Sequence, residues 1–221
     1  RPPMPDELRN QIPAIREWVE AQGWPILEKE GLEADDVIAS VVKNYNKDID
    51  IDIVSADKDL AQLVNKRVTL VIPGKKSQLQ RHGPEDIRGK YGIPPGTFAD
   101  YLALIGDTSD NIEGVPGVGP KTAAKLLQEF GSVENILSNL EAIPKSALRE
   151  KLRAAADVLA RNRKLVDLLL ASEVLYDSID ELKRREPDWE TLVEIADRYD
   201  LSSLKRSLDQ ARHAASEQRL F

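Results

Sequence analysis

Apolar residues recur at helical spacing from the start of the chain. Leu8, Ile12, Ile15 and Val19 share one face between Pro5 and Ala21, and Gly23 ends the run. A short strand is expected from Trp24 to Leu27. From Glu33 to Tyr45, Val37, Ile38, Val41 and Val42 predict a second helix, after which Ile49, Ile51, Ile53 and Val54 form a β run. Asp48, Asp50 and Asp52 alternate with the isoleucines and read as a solvated face, because a strand buried on both sides would be apolar throughout. Val68 to Ile72 is the next strand candidate. The polar, basic Gly74-Lys75-Lys76-Ser77 then reads as an exposed turn, and the sheet-rich part ends near Arg81.

From Pro84 onward the pattern is almost wholly helical, with breaks at Gly92-Ile93-Pro94-Pro95, at Asn111 to Pro120 and at Gly131. Leu148, Leu152, Ala155, Leu159, Val166 and Leu169 keep roughly helical spacing. Glu181 to Ala215 adds charged helices carrying Leu192, Ile195, Leu201 and Leu204. These positions read as packing, and there is no internal repeat. Alternating helix and strand in the first half followed by helices predicts an α/β protein with an added helical module.

Composition narrows the class. With 221 residues and 41% hydrophobic content the chain builds one large domain, or a medium one with a smaller attachment. No apolar run approaches the roughly 20 residues that cross a bilayer. The opening Arg1-Pro2-Pro3-Met4-Pro5 has neither a signal peptide's apolar core nor an initiator Met, and reads as an interior piece of a longer protein. The absence of Cys removes disulfides, thiolate metal sites and a Cys nucleophile, which suits a reducing compartment and makes the cytoplasm the default. The net charge of -7 is the wrong sign for a nucleic-acid binder, so the placement of the acids has to decide.

Three acidic clusters each sit where an element begins: Glu33-Ala34-Asp35-Asp36, Asp57-Lys58-Asp59 and Asp107-Thr108-Ser109-Asp110-Asn111. Taken singly, each is explained by helix dipoles, caps and turns. Together they differ, since Asp57 and Asp59 follow the strand ending Ile53-Val54-Ser55, and α/β ligands gather at strand C-termini. Seven converging carboxylates would repel one another, with pKa values forced upward, unless divalent cations held them. Hard oxygen ligands select Mg²⁺ or Mn²⁺, and two ions are implied. Setting those seven aside leaves 31 acids against 31 bases, so the acidity is local and the sign objection weakens. His82 and His213 are the only histidines, which argues against a Ser-His-Asp arrangement and leaves metal-activated water as the hydrolytic option.

The run Gly114-Val115-Pro116-Gly117-Val118-Gly119-Pro120-Lys121-Thr122-Ala123-Ala124 is a glycine turn leading into a helix. A helix N-terminus with free N–H groups binds phosphate, and Lys121 and Lys125 add charge, giving sequence-independent backbone contact. Pro120 stands where a P-loop needs Gly, and the third glycine and preceding strand of a dinucleotide fingerprint are missing. The bland alternative is a glycine-rich loop between helices.

The stretch from Gly31 to Val64, with Glu33-Ala34-Asp35-Asp36 and Ser55-Ala56-Asp57-Lys58-Asp59-Leu60-Ala61-Gln62-Leu63-Val64, resembles the 5′-nuclease domain of bacterial DNA polymerase I. Tyr91-Gly92-Ile93-Pro94-Pro95 through Gly131-Ser132 continues the likeness, in one order, over nearly the whole chain. The resemblance implies a structure-selective 5′–3′ exonuclease and flap endonuclease of replication and repair. Its fold would be a PIN-like parallel-sheet α/β core, here 1–94 as the C-terminal portion of that core. A helix-hairpin-helix DNA-binding domain would follow at 95–175, and a C-terminal helical segment at 176–221 would pack on the core. Residue by residue, it implies that Glu33, Asp35 and Asp36 serve a first metal and Asp57, Asp59, Asp107 and Asp110 a second. Gly117, Gly119, Lys121 and Thr122 would form the duplex-binding hairpin, with K⁺ bound there in relatives. Arg1 matches the last basic residue of the Tyr-Lys-x-x-Arg stretch at the base of the arch that admits the 5′ end.

The family places a first strand with a metal-binding Asp, a second Asp and most of the arch before that Arg. The sequence is therefore read first as a fragment of a complete nuclease, and second as a truncated product unable to assemble the first metal site. The mechanism implied is two-metal phosphodiester hydrolysis on DNA with a 5′ flap or 5′ end, by a monomer working in the cytoplasm at the nucleoid. Two rivals stand beside it: a non-catalytic duplex- or flap-binding module, and a PIN-type ribonuclease, against which the glycine hairpin argues. The tail Glu217-Gln218-Arg219-Leu220-Phe221 loosely resembles a sliding-clamp-binding peptide, while a frayed terminus is the simpler reading.

Overall fold

The computed structural model describes residues 3–45, 47–74, 78–168 and 178–218. Arg1, the Lys75 to Ser77 part of the basic turn, Leu169 and the Arg219 to Phe221 end of the tail lie outside them. Packing divides the chain into two compact units, Lys29–Leu175, and Arg1–Glu28 together with Tyr176–Phe221. The residues from 176 onward thus group with the first helices, and the division falls between Glu28 and Lys29 and between Leu175 and Tyr176.

The chain opens with α1 (Asp6–Arg9) and α2 (Ile12–Ala21). The larger unit begins with α3 (Ala34–Tyr45), whose Val37, Ala39 and Val42 are buried. Three strands follow, β1 (Ile51–Val54), β2 (Val68–Pro73) and β3 (Leu79–His82). β1 pairs with β2 in parallel, Ile53 opposite Leu70, and β2 pairs with β3 in antiparallel, Leu70 opposite His82. The parallel pair is crossed over by the 3-10 turn Asp59–Leu63, which buries Leu60, Ala61 and Leu63. β3 is a strand that period-two reading does not find, because Leu79-Gln80-Arg81-His82 is polar and its first three residues are exposed. Its role shows in pairing: Arg81 donates to both carboxylate oxygens of Asp52 at 2.6 and 2.7 Å, and Arg67 meets Asp50 at 3.3 Å. The alternating aspartates are the solvated face that the pattern predicts.

Beyond the sheet, α4 (Pro84–Tyr91) ends at a left-handed Gly92. α5 (Phe98–Ile105) is the centre of the unit, with every residue from Phe98 to Leu104 buried. Each large side chain buried there contributes about 1.5–3 kcal/mol. A two-residue hairpin follows, β4 (Gly106–Asp107) against β5 (Ile112–Glu113), and then α6 (Pro120–Phe130), α7 (Val133–Ser138), α8 (Ser146–Ala154) and α9 (Ala156–Val166). One core of aliphatic and aromatic side chains runs from Ala39 through Phe98 and Leu102 to Leu159.

In the smaller unit, α10 (Trp189–Arg198) and α11 (Ser202–Gln218) bury Leu192, Ala196 and Leu208 with Ala21 of α2. The strand expected at Trp24 to Leu27 is a loop. Gly23 reverses the chain at φ +82°, where a Cβ would stand 2.2 Å from the Arg185 carbonyl oxygen. The backbone there bonds to Arg185, whose amide donates to the Gly23 carbonyl at 2.8 Å, and the Arg184 guanidinium covers the Trp24 ring. Among the described residues, no helix is long and apolar enough to cross a membrane.

A candidate metal centre beside a glycine hairpin

All three acidic clusters fall within the larger unit. Glu33 precedes α3, and its amide donates to Asp36 at 3.1 Å, so Asp36 caps its own helix as the local rules expect. The pKa of Asp35 is raised, first by partial burial and then by the negative charges of Asp57, Glu33, Asp36 and Asp110, three of which come from the same helix start or the loop after β1. The α3 start, the β1 exit and the β4–β5 hairpin therefore share one electrostatic neighbourhood.

The loop after β1 is built by its own side chains. The Asp57 amide donates to the Ser55 hydroxyl at 3.0 Å, and the Asp59 amide donates to the Asp57 carboxylate at 3.0 Å. Gln62, nearly fully buried, then fastens the loop. Its amide nitrogen donates to the carbonyls of Asp59 and Val166 at 3.0 Å, and its oxygen accepts from the Leu168 amide at 3.1 Å. Asp59 is thereby half-buried, and its pKa is pushed up to about 6, by desolvation first and then by Asp57 and Asp107.

The hairpin supplies the other acids. Asp107 is buried in β4 and Asp110 exposed near the tip, beside Asn111 in the left-handed region at φ +57°. Gly106 and Gly114 let the hairpin's two arms meet: a Cβ on Gly114 would stand 2.2 Å from the Ile105 carbonyl carbon. Asn162 of α9, wholly buried, donates to the carbonyls of Ala103 at 3.2 Å and Glu113 at 2.7 Å and so fixes the hairpin base. Burial alone would raise the Asp107 pKa. The ion pair with Lys58 and hydrogen bonds from the Ser109 hydroxyl and amide outweigh it, and the group lies below the usual carboxylate range.

Asp59, Asp107 and Asp110 each offer a carboxylate oxygen within 4.8 Å of the others. The Oδ1 of Asp59 is buried and finds no hydrogen-bond donor among the described residues. A buried acceptor left without a donor costs about 1–3 kcal/mol, and a cation relieves it. The donors are all hard oxygens, which fits a divalent ion of the Mg²⁺ or Mn²⁺ kind.

The glycine turn leads out of the same hairpin. The Val115 amide donates to the Leu104 carbonyl at 2.9 Å, Gly117 takes φ +81°, and Gly119 is the extended residue before Pro120 at the first position of α6. Lys121 and Lys125 are exposed on α6, and with Thr122 they line an open cleft of about 550 Å³ that Ile143, Lys145 and Leu148 close on the far side.

The sequence pattern of the 5′-3′ exonuclease, N-terminal resolvase-like domain, matches residues 1–92, and that of the 5′-3′ exonuclease, C-terminal SAM fold, matches residues 93–190. The 5′-3′ exonuclease of Aquifex aeolicus is 39% identical over all of this chain and 74% of its own length. The chain belongs to the 5′–3′ exonuclease family. That family comprises metal-dependent exonucleases and flap endonucleases, and the chain's resolvase-like and SAM-like parts are its two architectural components. The thermostable DNA polymerase I of Thermus aquaticus is 42% identical over 92% of this chain, which spans only 24% of that polymerase. Among solved structures, a mutant of the T5 5′-exonuclease matches with a TM-score of 0.58 and 26% identity, over 80% of this chain and 68% of the other.

Within this family fold, the structure brings together Asp59, Asp107 and Asp110; Asp35, Asp57 and Glu33 share their electrostatic neighbourhood, and Asp36 caps its own helix. Lys58, Gln62, Ser109 and Asn162 are the residues that sequence reasoning missed. Lys58 and Ser109 lie inside motifs that were singled out for their acids, whereas Gln62 and Asn162 act across 104 and 59 positions of chain.

Proposed function

We propose that this chain carries the metal-binding and duplex-binding parts of a structure-selective 5′-nuclease that cleaves DNA at a 5′ flap or 5′ end. The convergence of Asp59, Asp107 and Asp110, with a buried Asp59 oxygen that has no donor among the described residues, carries this reading. The acids would hold two divalent ions, Mg²⁺ or Mn²⁺, with Glu33, Asp35 and Asp36 on the side of one and Asp57, Asp59, Asp107 and Asp110 around the other. Bound ions supply the activation of a water and the neutralisation of the leaving oxygen, so the site needs no histidine.

What the chain itself does is position. Gln62 and Asn162 set the two acidic loops, and the α6 N-terminus, with Lys121, Thr122 and Lys125, takes phosphates of the duplex behind the cleavage point. A K⁺ ion at the Gly117–Gly119 turn would be held by backbone carbonyl oxygens, the donor type K⁺ takes. Binding of this kind is salt-dependent and indifferent to sequence, so selectivity falls to DNA shape. The substrate places the protein with chromosomal DNA, working as a monomer.

The test is a substrate panel for the protein. Mg²⁺-dependent cleavage of a 5′-flap DNA, abolished by EDTA and far weaker on an RNA flap, is expected. Duplex binding without cleavage would contradict the proposal in favour of a purely DNA-binding module, and preference for RNA would favour a ribonuclease.

A further inference from the structure

Asp107 has two carboxylate oxygens, and their surroundings differ. Oδ1 accepts from the Ser109 amide at 2.9 Å and from the Ser109 hydroxyl, which fills both of its lone-pair directions. Oδ2 meets the ammonium of Lys58 at 2.7 Å. The Asp107 side chain is 1% exposed and that of Lys58 is 45% exposed, so the cation enters from the solvent side onto a carboxylate that cannot leave. Oδ2 is therefore the oxygen open to a divalent ion, and a cation already stands on it.

We infer that Lys58 is an internal counter-cation: its ammonium takes the Asp107 oxygen that a divalent ion requires, and the ion binds by displacing it. The side chain suits exchange. A buried aspartate left without a partner is strongly disfavoured, so the pair persists while metal is absent. The ammonium is a compact, well-hydrated charge on a flexible stem, and its half-exposed position lets it return to water at small cost. An arginine, whose guanidinium is more weakly hydrated and so gains less on returning to water, would let go less readily. Metal affinity is then a difference between two cations competing for one oxygen, with Lys58 setting the reference.

This inference rests on the metal reading given above, and the two fail differently. The experiment is calorimetric titration of Mn²⁺ into the metal-free 221-residue chain at neutral pH, for wild type, Lys58→Met and Lys58→Arg. Lys58→Met, which keeps the stem and deletes the charge, is expected to bind Mn²⁺ about ten-fold tighter, the scale of one charge-assisted hydrogen bond. Lys58→Arg is expected to bind no tighter than wild type. In EDTA, Lys58→Met should melt below wild type, and saturating Mn²⁺ should close that gap. Where Lys58→Met does not fold, Lys58→Gln carries the same readouts. Unchanged or weaker Mn²⁺ affinity in the charge-deleted variant, beside clear binding by wild type, overturns the exchange alone. Absence of Mn²⁺ binding in every variant overturns the metal reading and the exchange with it.

Discussion

Replacing Asn162 by Ala tests how the hairpin is held. The side chain is wholly buried, and its amide nitrogen donates to the carbonyls of Ala103 at 3.2 Å and Glu113 at 2.7 Å. Ala103 lies in the last turn of α5, where carbonyls lack intrahelical partners, and Glu113 lies in β5, paired with Gly106. Each bond contributes about 0.5–1.5 kcal/mol, and a carbonyl left buried without a donor costs more. The variant should lose about 2–4 kcal/mol of stability and about 5–15 °C in Tm. The same change loosens the register of Gly106 and Asp107, so Mn²⁺ affinity should fall as well. Urea unfolding is followed by far-ultraviolet circular dichroism, since Trp18, Trp24 and Trp189 all lie in the other unit and would report on it instead. Stability within about 0.5 kcal/mol of wild type, with Mn²⁺ binding intact, would refute the role assigned to Asn162.

Three further outcomes follow from the geometry. Asp59 in the folded chain has a pKa of about 6 against an ordinary 3.8, so its stabilising contribution is complete below 3.8 and is lost as pH rises through 6. In EDTA, wild type should therefore lose stability relative to Asp59→Asn between about pH 4 and pH 6, and a pH-independent difference in Tm would contradict this; Asp107 is lowered below the usual range, so its contribution is lost only at more acid pH. Lys121→Ala with Lys125→Ala should weaken duplex binding equally for unrelated sequences. The slope of log K against log salt should also become shallower by about 1–2, as expected for one or two lost phosphate contacts, and a sequence-dependent loss would count against backbone contact. Gly114→Ala forces a Cβ to within 2.2 Å of the Ile105 carbonyl carbon, and denaturation should show a loss of about 2–3 kcal/mol, whereas wild-type stability would mean that the hairpin yields.

Much of the site was legible because its residue types carry chemistry locally. Asp35, Asp57, Asp59, Asp107 and Asp110 stand out by type and by position at element starts, and the glycine turn announces a helix N-terminus with Lys121 behind it. Asp36 illustrates why each cluster alone was ambiguous, since it does cap its helix. What local pattern misses is whatever depends on distant chain. β3 is a polar strand defined by its pairing with β2, and the apolar Trp24 to Leu27 stretch is a loop: Gly23 just before it is bonded to the Arg185 amide, and the Trp24 ring lies under Arg184, both from far along the sequence. Gln62 and Asn162 look like ordinary surface amides in sequence and are buried fasteners in the fold.

If acids from α3, the β1 exit and the β4–β5 hairpin form one metal-dependent cleavage site, flap cleavage and flap binding should separate in Asp57→Asn and Asp107→Asn. Both substitutions are expected to abolish Mg²⁺-dependent cleavage and to leave DNA affinity equal or higher, because a negative charge beside phosphate is removed. Cleavage at the wild-type rate in both variants would contradict the shared site.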